Sequence, residues 1–162
     1  MQDLLPRAER LSALLKSRRE TVAVSESSSG GLVSAALLAV PGASAYFMGG
    51  AVVYTQAARA ALLAVTQDQM AGMRSSSEPY ARLLARTMRE RLATTWGIAE
   101  TGAAGPSGNR YGDEAGHTCI AVSGPVERIV TIETGSQDRV ANMRAFAQAL
   151  LELLTEAVET GA

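Results

Sequence analysis

A run of serines and glycines between two apolar segments carries the residues of this chain best suited to chemistry. The run Ser25-Glu26-Ser27-Ser28-Ser29-Gly30-Gly31 follows the apolar stretch Thr21–Val24 and precedes the helix-like segment Leu32–Val40. At a strand–loop–helix joint of this kind, backbone N–H groups stay free, glycine allows close approach to a ligand, and hydroxyls can donate or attack. The run therefore predicts an anion site, with a serine-capped helix as the alternative interpretation.

A second loop of small residues has the same character. Gly97–Glu100 resembles a short strand, and it leads into Thr101-Gly102-Ala103-Ala104-Gly105-Pro106-Ser107-Gly108. Open α/β sheets bind ligands at the carboxyl ends of their strands, so the two loops predict one composite pocket. Neither loop fits a phosphate fingerprint, because GxGxxG is absent and the only lysine, Lys16, excludes the P-loop motif. The lining residues expected from the two loops are Ser27, Ser29 and Thr101, to which the family resemblance given below adds Tyr54 and Arg59.

Two further motifs lie between these loops, and together the four resemble a known family. Val53-Tyr54-Thr55-Gln56-Ala57-Ala58-Arg59 and Ser77-Glu78-Pro79 occur in the order found in the C-terminal domain of the competence/damage-inducible CinA family, the nicotinamide-nucleotide amidases. The resemblance covers roughly Leu4 to Leu154. It implies hydrolysis of nicotinamide mononucleotide to nicotinic acid mononucleotide and ammonia, by a serine assisted by a lysine. It also implies a homo-oligomer without a metal or cofactor.

The resemblance assigns roles position by position. The family form of the first motif is Ala-Glu-Ser-Cys-Thr-Gly-Gly, so Ser27 matches the catalytic serine, while Ser28 and Ser29 replace cysteine and threonine. Thr101 matches a pocket hydroxyl that serves the developing oxyanion. The substrate-binding residues implied in this way are Glu26, Ser28, Ser29, Gly30, Gly31, Tyr54, Gly102, Ala104, Gly105 and Arg139. For Arg139, an ordinary residue of the first helical turn is the alternative.

Arg59 is the most important departure from the family, because it falls on the catalytic lysine. A guanidinium stays protonated in proteins and cannot act as a general base, whereas a buried lysine can. Lys16 lies on an N-terminal helix and does not replace it. Two functions stay open: an amidohydrolase acting on a linear amide with an unidentified proton carrier, and a catalytically silent nucleotide-binding or assembly protein. Hydrolysis of another small amide or ester is a third.

The single histidine and single cysteine restrict other chemistry. His117 and Cys119 stand two apart in an apolar stretch, so in a strand both side chains point to one face. A structural histidine and a small buried cysteine are the favoured interpretation. No CxxC or HExxH motif is present, so we expect no metal site. The carboxylates that could instead hold hydrated magnesium with a ligand phosphate are Glu26, Glu100, Asp113 and Glu114.

Composition limits the remaining possibilities. The 162 residues, 47% of them hydrophobic, suit one domain over 1–162. A net charge of −1 and the lack of a basic aromatic cluster argue against nucleic-acid binding. One cysteine excludes an intramolecular disulfide, and with no signal-peptide pattern this predicts the cytoplasm. The uncharged stretch between Glu26 and Arg59 is broken by Pro41-Gly42 and Gly49-Gly50, so we expect no membrane span.

The elements that must position these residues follow from hydrophobic periodicity. We expect an N-terminal helix, strand Thr21–Val24, helix Gly31–Val40, strand Ala45–Tyr54, helix Gln56–Val65, a helix opened by Ser77 and running along Tyr80–Trp96, strand Ile98–Thr101, an antiparallel hairpin of His117–Val122 and Arg128–Thr134, and helix Asp138–Val158. This order predicts an α/β fold, a three-layer α/β/α sandwich with a mixed sheet of about five strands.

Overall fold

Five strands form one mixed sheet in the computed structural model, which describes residues 1–161. The strands are β1 (Val22–Glu26), β2 (Phe47–Val52), β3 (Trp96–Ala103), β4 (His117–Ser123) and β5 (Arg128–Glu133), in the spatial order β2-β1-β3-β4-β5. β1 pairs in parallel with both β2 and β3, whereas β3, β4 and β5 pair in antiparallel fashion. The predicted mixed sheet and the hairpin of β4 and β5 are confirmed.

Helices cover both faces of the sheet. On one face lie α1 (Leu5–Arg18), α2 (Leu32–Ala39) and α5 (Arg139–Thr160), and on the other lie α3 (Gln56–Leu63) and α4 (Glu78–Arg91). Two single 3₁₀ turns occupy Ala43–Ala45 and Asp68–Met70. The predicted three-layer sandwich is therefore confirmed. Within residues 1–161, none of the helices combines the length and the apolar character that a membrane span requires.

The two faces of the sheet have different cores because side chains alternate along a strand. Val24, Ile98 and Ile120 pack under α1, α2 and α5, whereas Ala99 and Cys119 face α4. The small residues on the α4 side allow that helix to lie close to the sheet. At Gly97 the approach is so close that a Cβ atom would lie 2.0 Å from the carbonyl oxygen of Ala85.

The largest difference from the predicted elements lies between α4 and β3. The helix ends at Arg91 instead of continuing to Trp96, because Ala93 adopts a left-handed conformation with φ +49° and reverses the chain. Trp96 instead begins β3, where its side chain is fully buried and its Nε1–H donates to Glu20 at 2.7 Å. At its other end β3 continues to Ala103, which pairs with His117, so Thr101 and Gly102 lie in the strand rather than in a loop.

Candidate functional site

The carboxyl ends of β1 and β3 lie at the same edge of the sheet and open into a cavity of about 450 Å³. The residues that line it are Ser27, Val53, Tyr54, Thr55, Gln56, Arg59, Ser75, Ser76, Tyr80, Thr101, Gly102, Arg110 and Tyr111. We call it the Ser27 cavity. The structure thus brings together four of the five residues expected to line a pocket, the exception being Ser29.

A second cavity of about 250 Å³ shares Tyr54 and Gly102 with the Ser27 cavity. Its other lining residues are Ser28, Ala103, Ala104, Gly105, Ser107, Gly108, Asn109 and Arg139. Arg139 begins α5, and its guanidinium donates to the carbonyl of Gly105 and to the hydroxyl of Tyr54, the latter at 3.2 Å. Arg139 is therefore a first-turn helix residue that also borders a cavity, and its role in substrate binding stays a prediction.

Two fully buried glutamates hold the loop of residues 27–31, which joins β1 to α2 and which we call the Ser27 loop. Glu100 Oε2 accepts hydrogen bonds from the backbone N–H groups of Ser27 at 3.0 Å and Ser29 at 2.8 Å. Glu26 accepts from the N–H groups of Val33 and Ser34, both at 2.9 Å, at the beginning of α2. The expectation that the N–H groups of this joint stay free is therefore wrong at these four positions, because internal carboxylates already occupy them.

Ser29 does not line the Ser27 cavity, because its side chain is turned inward. Its hydroxyl lies 2.8 Å from Glu26 Oε1 and 2.9 Å from Glu100 Oε2, and a single hydroxyl hydrogen can satisfy only one of two ionised carboxylates. Burial raises the pKa of Glu100, against the hydrogen bonds from Ser29, Ser27 and Thr118 that lower it. Protonation of Glu100 would relieve the crowding of negative charge around this hydroxyl.

Three other predicted binding residues also lie outside the two cavity linings. Glu26 is fully buried, and both of its oxygens are engaged by Ser29, Val33 and Ser34. Gly30 and Gly31 adopt φ values of +66° and +94° and shape the turn into α2. Direct contact of these three residues with a ligand in either cavity is not supported, and their observed role is to hold the loop.

Arg59 is buried in the wall of the Ser27 cavity with only 6% of its surface exposed. Thr55 caps α3 by accepting a hydrogen bond from Ala58, and this places Arg59 on the inner face of the helix. The guanidinium lies 5.8 Å from the centre of the Tyr80 ring, and its Nε finds no partner among residues 1–161. Burial raises the pKa of Tyr80 more than Arg59 lowers it, so this phenol stays protonated at neutral pH.

Arginines supply the only charges in the two linings of the described structure. Arg59 and Arg110 line the Ser27 cavity and Arg139 lines its neighbour, and no aspartate or glutamate accompanies them. Within residues 1–161, none of the three guanidinium groups has a carboxylate within 4.0 Å. The site is therefore strongly electropositive and suited to an anion.

Tyr80, Arg110 and Tyr111 belong to the lining but were not predicted from the sequence. Arg110 donates to the Tyr111 hydroxyl at 3.0 Å, and this hydrogen bond lowers the pKa of Tyr111. The guanidinium groups of Arg74 and Arg110 lie 5.3 and 5.1 Å from the centre of its ring. Three of the four tyrosines of the chain border this one cavity.

His117 and Cys119 share one face of β4, as predicted, with Sγ and Nε2 3.7 Å apart. Neither lines a described cavity, and burial raises the pKa of the Cys119 thiol, so a cysteine nucleophile is not favoured. Three of the four carboxylates considered for magnesium are engaged elsewhere, because Glu26 and Glu100 hold the Ser27 loop and Asp113 pairs with Arg74, whereas Glu114 is exposed and lines neither cavity. Over residues 1–161, no three His, Cys, Asp or Glu side chains are grouped suitably for a metal ion.

Comparison with known proteins agrees with this architecture. The family model described as the CinA C-terminal domain matches residues 5–158. This chain belongs to that family. It is 42% identical over 144 residues to a CinA-like protein of Gloeobacter violaceus, covering 88% of this chain and 34% of that protein. It is 40% identical over 147 residues to a CinA-like protein of Anaeromyxobacter sp. (strain K), covering 90% and 36%. The chain thus spans about a third of the length of these relatives.

Solved CinA structures share the fold. The competence/damage inducible protein CihA from Agrobacterium tumefaciens superposes with a TM-score of 0.89 at 26% identity, over 98% of this chain and 96% of that one. A CinA superfamily protein from Klebsiella pneumoniae 700603 gives a TM-score of 0.90 at 22% identity, over 96% and 98%. The second likeness concerns the fold alone.

Proposed function

We propose that this CinA-family chain is an amidohydrolase that converts nicotinamide mononucleotide to nicotinic acid mononucleotide and ammonia. One observation carries the proposal: Ser27 opens onto a cavity that contains unpaired arginines, three tyrosines and no acid. A pyridine mononucleotide offers a phosphate to a guanidinium and an aromatic ring to a tyrosine. The cavity volume of about 450 Å³ lies within the usual range for small-molecule sites.

In this proposal Ser27 is the nucleophile. Its Oγ adds to the carboxamide carbon and gives up its proton, the C–N bond breaks as the amide nitrogen gains a proton and leaves as ammonia, and water then hydrolyses the acyl ester, which releases the carboxylate and regenerates the hydroxyl. Thr101 Oγ1 accepts a hydrogen bond from the Ser76 N–H at 3.2 Å, which leaves its own hydrogen available to a developing oxyanion. Arg59 adds positive charge but cannot remove a proton.

Ligand binding without turnover is the second candidate, and the residue at position 59 favours it. The arginine replaces the family lysine, and Lys16 lies on α1, 6.0 Å from the Tyr46 ring and on the opposite face of the sheet from α3. The only histidine, His117, does not reach the cavity. A protein of this kind would bind the nucleotide and release no ammonia.

Ammonia release from nicotinamide mononucleotide separates the two candidates. We expect slow wild-type turnover, because loss of a positioned general base removes a factor of about 10² to 10⁴. Arg59→Lys should raise the rate and Ser27→Ala should abolish it, while Arg86→Lys, on the exposed side of α4, should not change it. Rapid wild-type turnover that survives Ser27→Ala would contradict the assigned nucleophile, and no turnover even in Arg59→Lys would favour the silent protein.

Calorimetry tests the anion site independently of turnover. We expect nicotinic acid mononucleotide to bind at least about tenfold more tightly than its nucleoside, since a charge-assisted hydrogen bond contributes about 1.5–3 kcal/mol. Arg59→Ala should remove most of this preference, whereas Arg86→Ala should keep it. Equal wild-type affinities for the two ligands would show that the cavity does not read the phosphate.

A further inference from the structure

His117 lies directly behind the wall of the Ser27 cavity and contacts acceptors with both ring nitrogens. Nδ1 makes a short contact with the carboxylate of Glu133 on β5. Nε2 lies 3.0 Å from the carbonyl oxygen of Ser76 and 3.6 Å from Asp113 Oδ2. A neutral imidazole has one N–H, so one of these contacts would set two lone pairs against each other, whereas an imidazolium donates at both nitrogens.

The Ser76 carbonyl belongs to a strained segment of the cavity wall. Ser76 has φ +55°, a conformation that a non-glycine residue keeps only where its surroundings hold it. Its N–H donates to Thr101 Oγ1, and its carbonyl also accepts from Arg74 Nη1 at 3.3 Å. Ser75 and Ser76 both line the Ser27 cavity. The bond from His117 therefore holds a residue that positions the Thr101 hydroxyl.

Asp113 links the same histidine to a second wall of the Ser27 cavity, the turn that carries Arg110 and Tyr111. Its carboxylate pairs with Arg74 at 2.6 and 3.0 Å and accepts from Asn109 Nδ2 at 2.8 Å. The backbone bond from Asn109 N–H to the Asp113 carbonyl, at 3.0 Å, closes the turn that carries Arg110 and Tyr111. His117 thus lies where the Ser75–Ser76 wall and the Arg110–Tyr111 turn are joined.

We propose that His117, as an imidazolium, is a positioning residue of the Ser27 cavity that holds the Ser75–Ser76 wall directly and the Arg110–Tyr111 turn through Asp113. Loss of its proton then disorders both walls and weakens anion binding. The effect on a ligand rests on the proposed function. The charge of His117 and its contacts with the two walls do not depend on the proposed function.

The direction of the pH dependence follows from the groups that face the ring. These are Glu133 from β5, Asp113 and Arg74 from the two walls, and Cys119 from β4, with Glu78 of α4 beyond the thiol. Burial lowers the pKa of His117, but hydrogen bonds with Glu133 and Ser76 and the charges of Asp113 and Glu133 outweigh it and raise the pKa overall. A raised pKa in the folded state means that the stabilisation is complete at low pH and is lost as pH rises through that pKa.

Nuclear magnetic resonance can observe this group alone, because His117 is the only histidine. In ¹⁵N-labelled protein we expect both ring nitrogens protonated at pH 7 and a titration midpoint above the ordinary value of about 6.5. Glu133→Gln removes the carboxylate partner at an exposed position and should lower that midpoint. A neutral imidazole at pH 7, or a midpoint unmoved by Glu133→Gln, would overturn the proposal.

Hydrogen exchange measures the hold on the walls. Backbone amides of 74–78 and 109–114 should exchange at least several-fold faster in His117→Gln than in wild type at pH 6.5, and the two proteins should converge on the alkaline side. Amides of β1 serve as the internal control and should not change. Equal exchange of these wall amides in wild type and His117→Gln at pH 6.5 would contradict the positioning role.

Calorimetry with nicotinic acid mononucleotide above pH 7, where most of its phosphate is doubly ionised, and on both sides of the His117 titration midpoint measured by resonance, tests the consequence for binding. Wild-type affinity should fall by about tenfold, equivalent to one charge-assisted hydrogen bond, and His117→Gln should show a flatter profile. Both proteins retain Tyr111, whose pKa is lowered by the hydrogen bond from Arg110, so a slope that the variant keeps is not assigned to His117. Measurable wild-type binding with a flat profile overturns the positioning role. Absence of binding at every pH contradicts the proposed function. The resonance and exchange results then decide whether His117 is a positioning residue.

Discussion

The acids beneath the Ser27 loop and the arginines of the cavity above it have opposite surroundings. Glu26 and Glu100 are fully buried, and they meet only hydroxyl and backbone N–H donors. Arg59, Arg110 and Arg139 border cavities and, within residues 1–161, meet no carboxylate. The fold therefore satisfies its buried acids internally and keeps them away from its unpaired positive charges.

The alternation of side chains along a strand explains this separation. Glu100 and Thr101 are neighbours on β3, so Glu100 points to the face under α2 and Thr101 to the face of α4. A glutamate one position later would lie beside Arg59 and compete with any anionic ligand. The acids therefore hold the loop, and the arginines are left to the anion that the proposed function requires. Substitutions of Glu26 and Glu100 test this division, and Asp113, whose carboxylate does pair with an arginine, gives the contrast.

Glu26→Ala should give the largest effect, a loss of stability. It removes the acceptor for the N–H groups of Val33 and Ser34 and for the hydroxyls of Ser29 and Ser34. A hydrogen bond to a charged group contributes about 1.5–3 kcal/mol, so we expect the free energy of unfolding to fall by about 3 kcal/mol or more. Urea unfolding followed by circular dichroism measures it.

Glu9→Ala is the matched control, because Glu9 is an exposed acid on α1 and its removal should change stability by less than about 0.5 kcal/mol. If Glu26→Ala and Glu9→Ala unfolded at the same urea concentration, the acids beneath the loop would not be structural. The proposed division between loop and ligand would then fail.

Glu100→Gln should have a smaller effect whose size depends on pH. The amide oxygen can accept from Ser27 and Ser29, and the amide NH₂ can donate to Thr118 Oγ1, which lies 3.2 Å from the Thr101 carbonyl. Burial raises the pKa of Glu100, so the wild-type protein loses stability as pH rises from the ordinary glutamate range through that raised value.

We therefore expect Glu100→Gln to equal or exceed the wild type in stability at pH 8 and to lose part of that advantage at pH 5. Urea midpoints at the two pH values measure the difference. A variant that is less stable than wild type at pH 8 by the same margin as at pH 5 would show that Glu100 is ionised and fully satisfied in the folded protein.

Asp113→Asn should give the smallest effect. The side chain of its partner Arg74 is 40% exposed, and ion pairs at the surface contribute about 0–1 kcal/mol, so the loss of stability should be about 1 kcal/mol or less. The hydrogen bond from Arg74 lowers the pKa of Asp113, so this stabilisation is present at neutral pH and is lost as pH falls through the lowered value. A destabilisation that persisted unchanged below that pH would point to Asn109 rather than to the ion pair.

Residues placed by strand ends were the predictable part of the site. Ser27 follows β1, and Thr101 lies near the end of β3. Because parallel strands bring those ends to one edge of the sheet, the convergence of the two residues follows from the sequence pattern. The fold class was predictable as well, because it follows from the order of helix and strand periodicities along the chain. The turn at Ala93 was missed, because an alanine in a left-handed conformation leaves no compositional signal.

The rest of the cavity depends on tertiary contacts. Tyr80 could have been predicted, since the apolar stripe of Leu84 and Met88 reaches it one turn earlier on α4. Arg110 and Tyr111 come from a turn whose shape depends on Asp113 and Arg74, which are 39 residues apart in sequence. Glu26 was predicted to bind substrate, and Glu100 was considered only for magnesium, because the type of each residue was considered without the face of the strand on which it lies.

Trp96, the only tryptophan, makes the protein its own reporter of unfolding. The indole begins β3, whereas Thr101 lies five residues further along the strand, a distance of about 16 Å. Its ring is fully buried near Gly124 and at the opposite end of the strand from the cavity. Its fluorescence should therefore shift to longer wavelength when the core opens and stay nearly unchanged when a ligand binds. The tyrosines beside the cavity would report the second event, in the part of the emission that disappears when the tryptophan alone is excited.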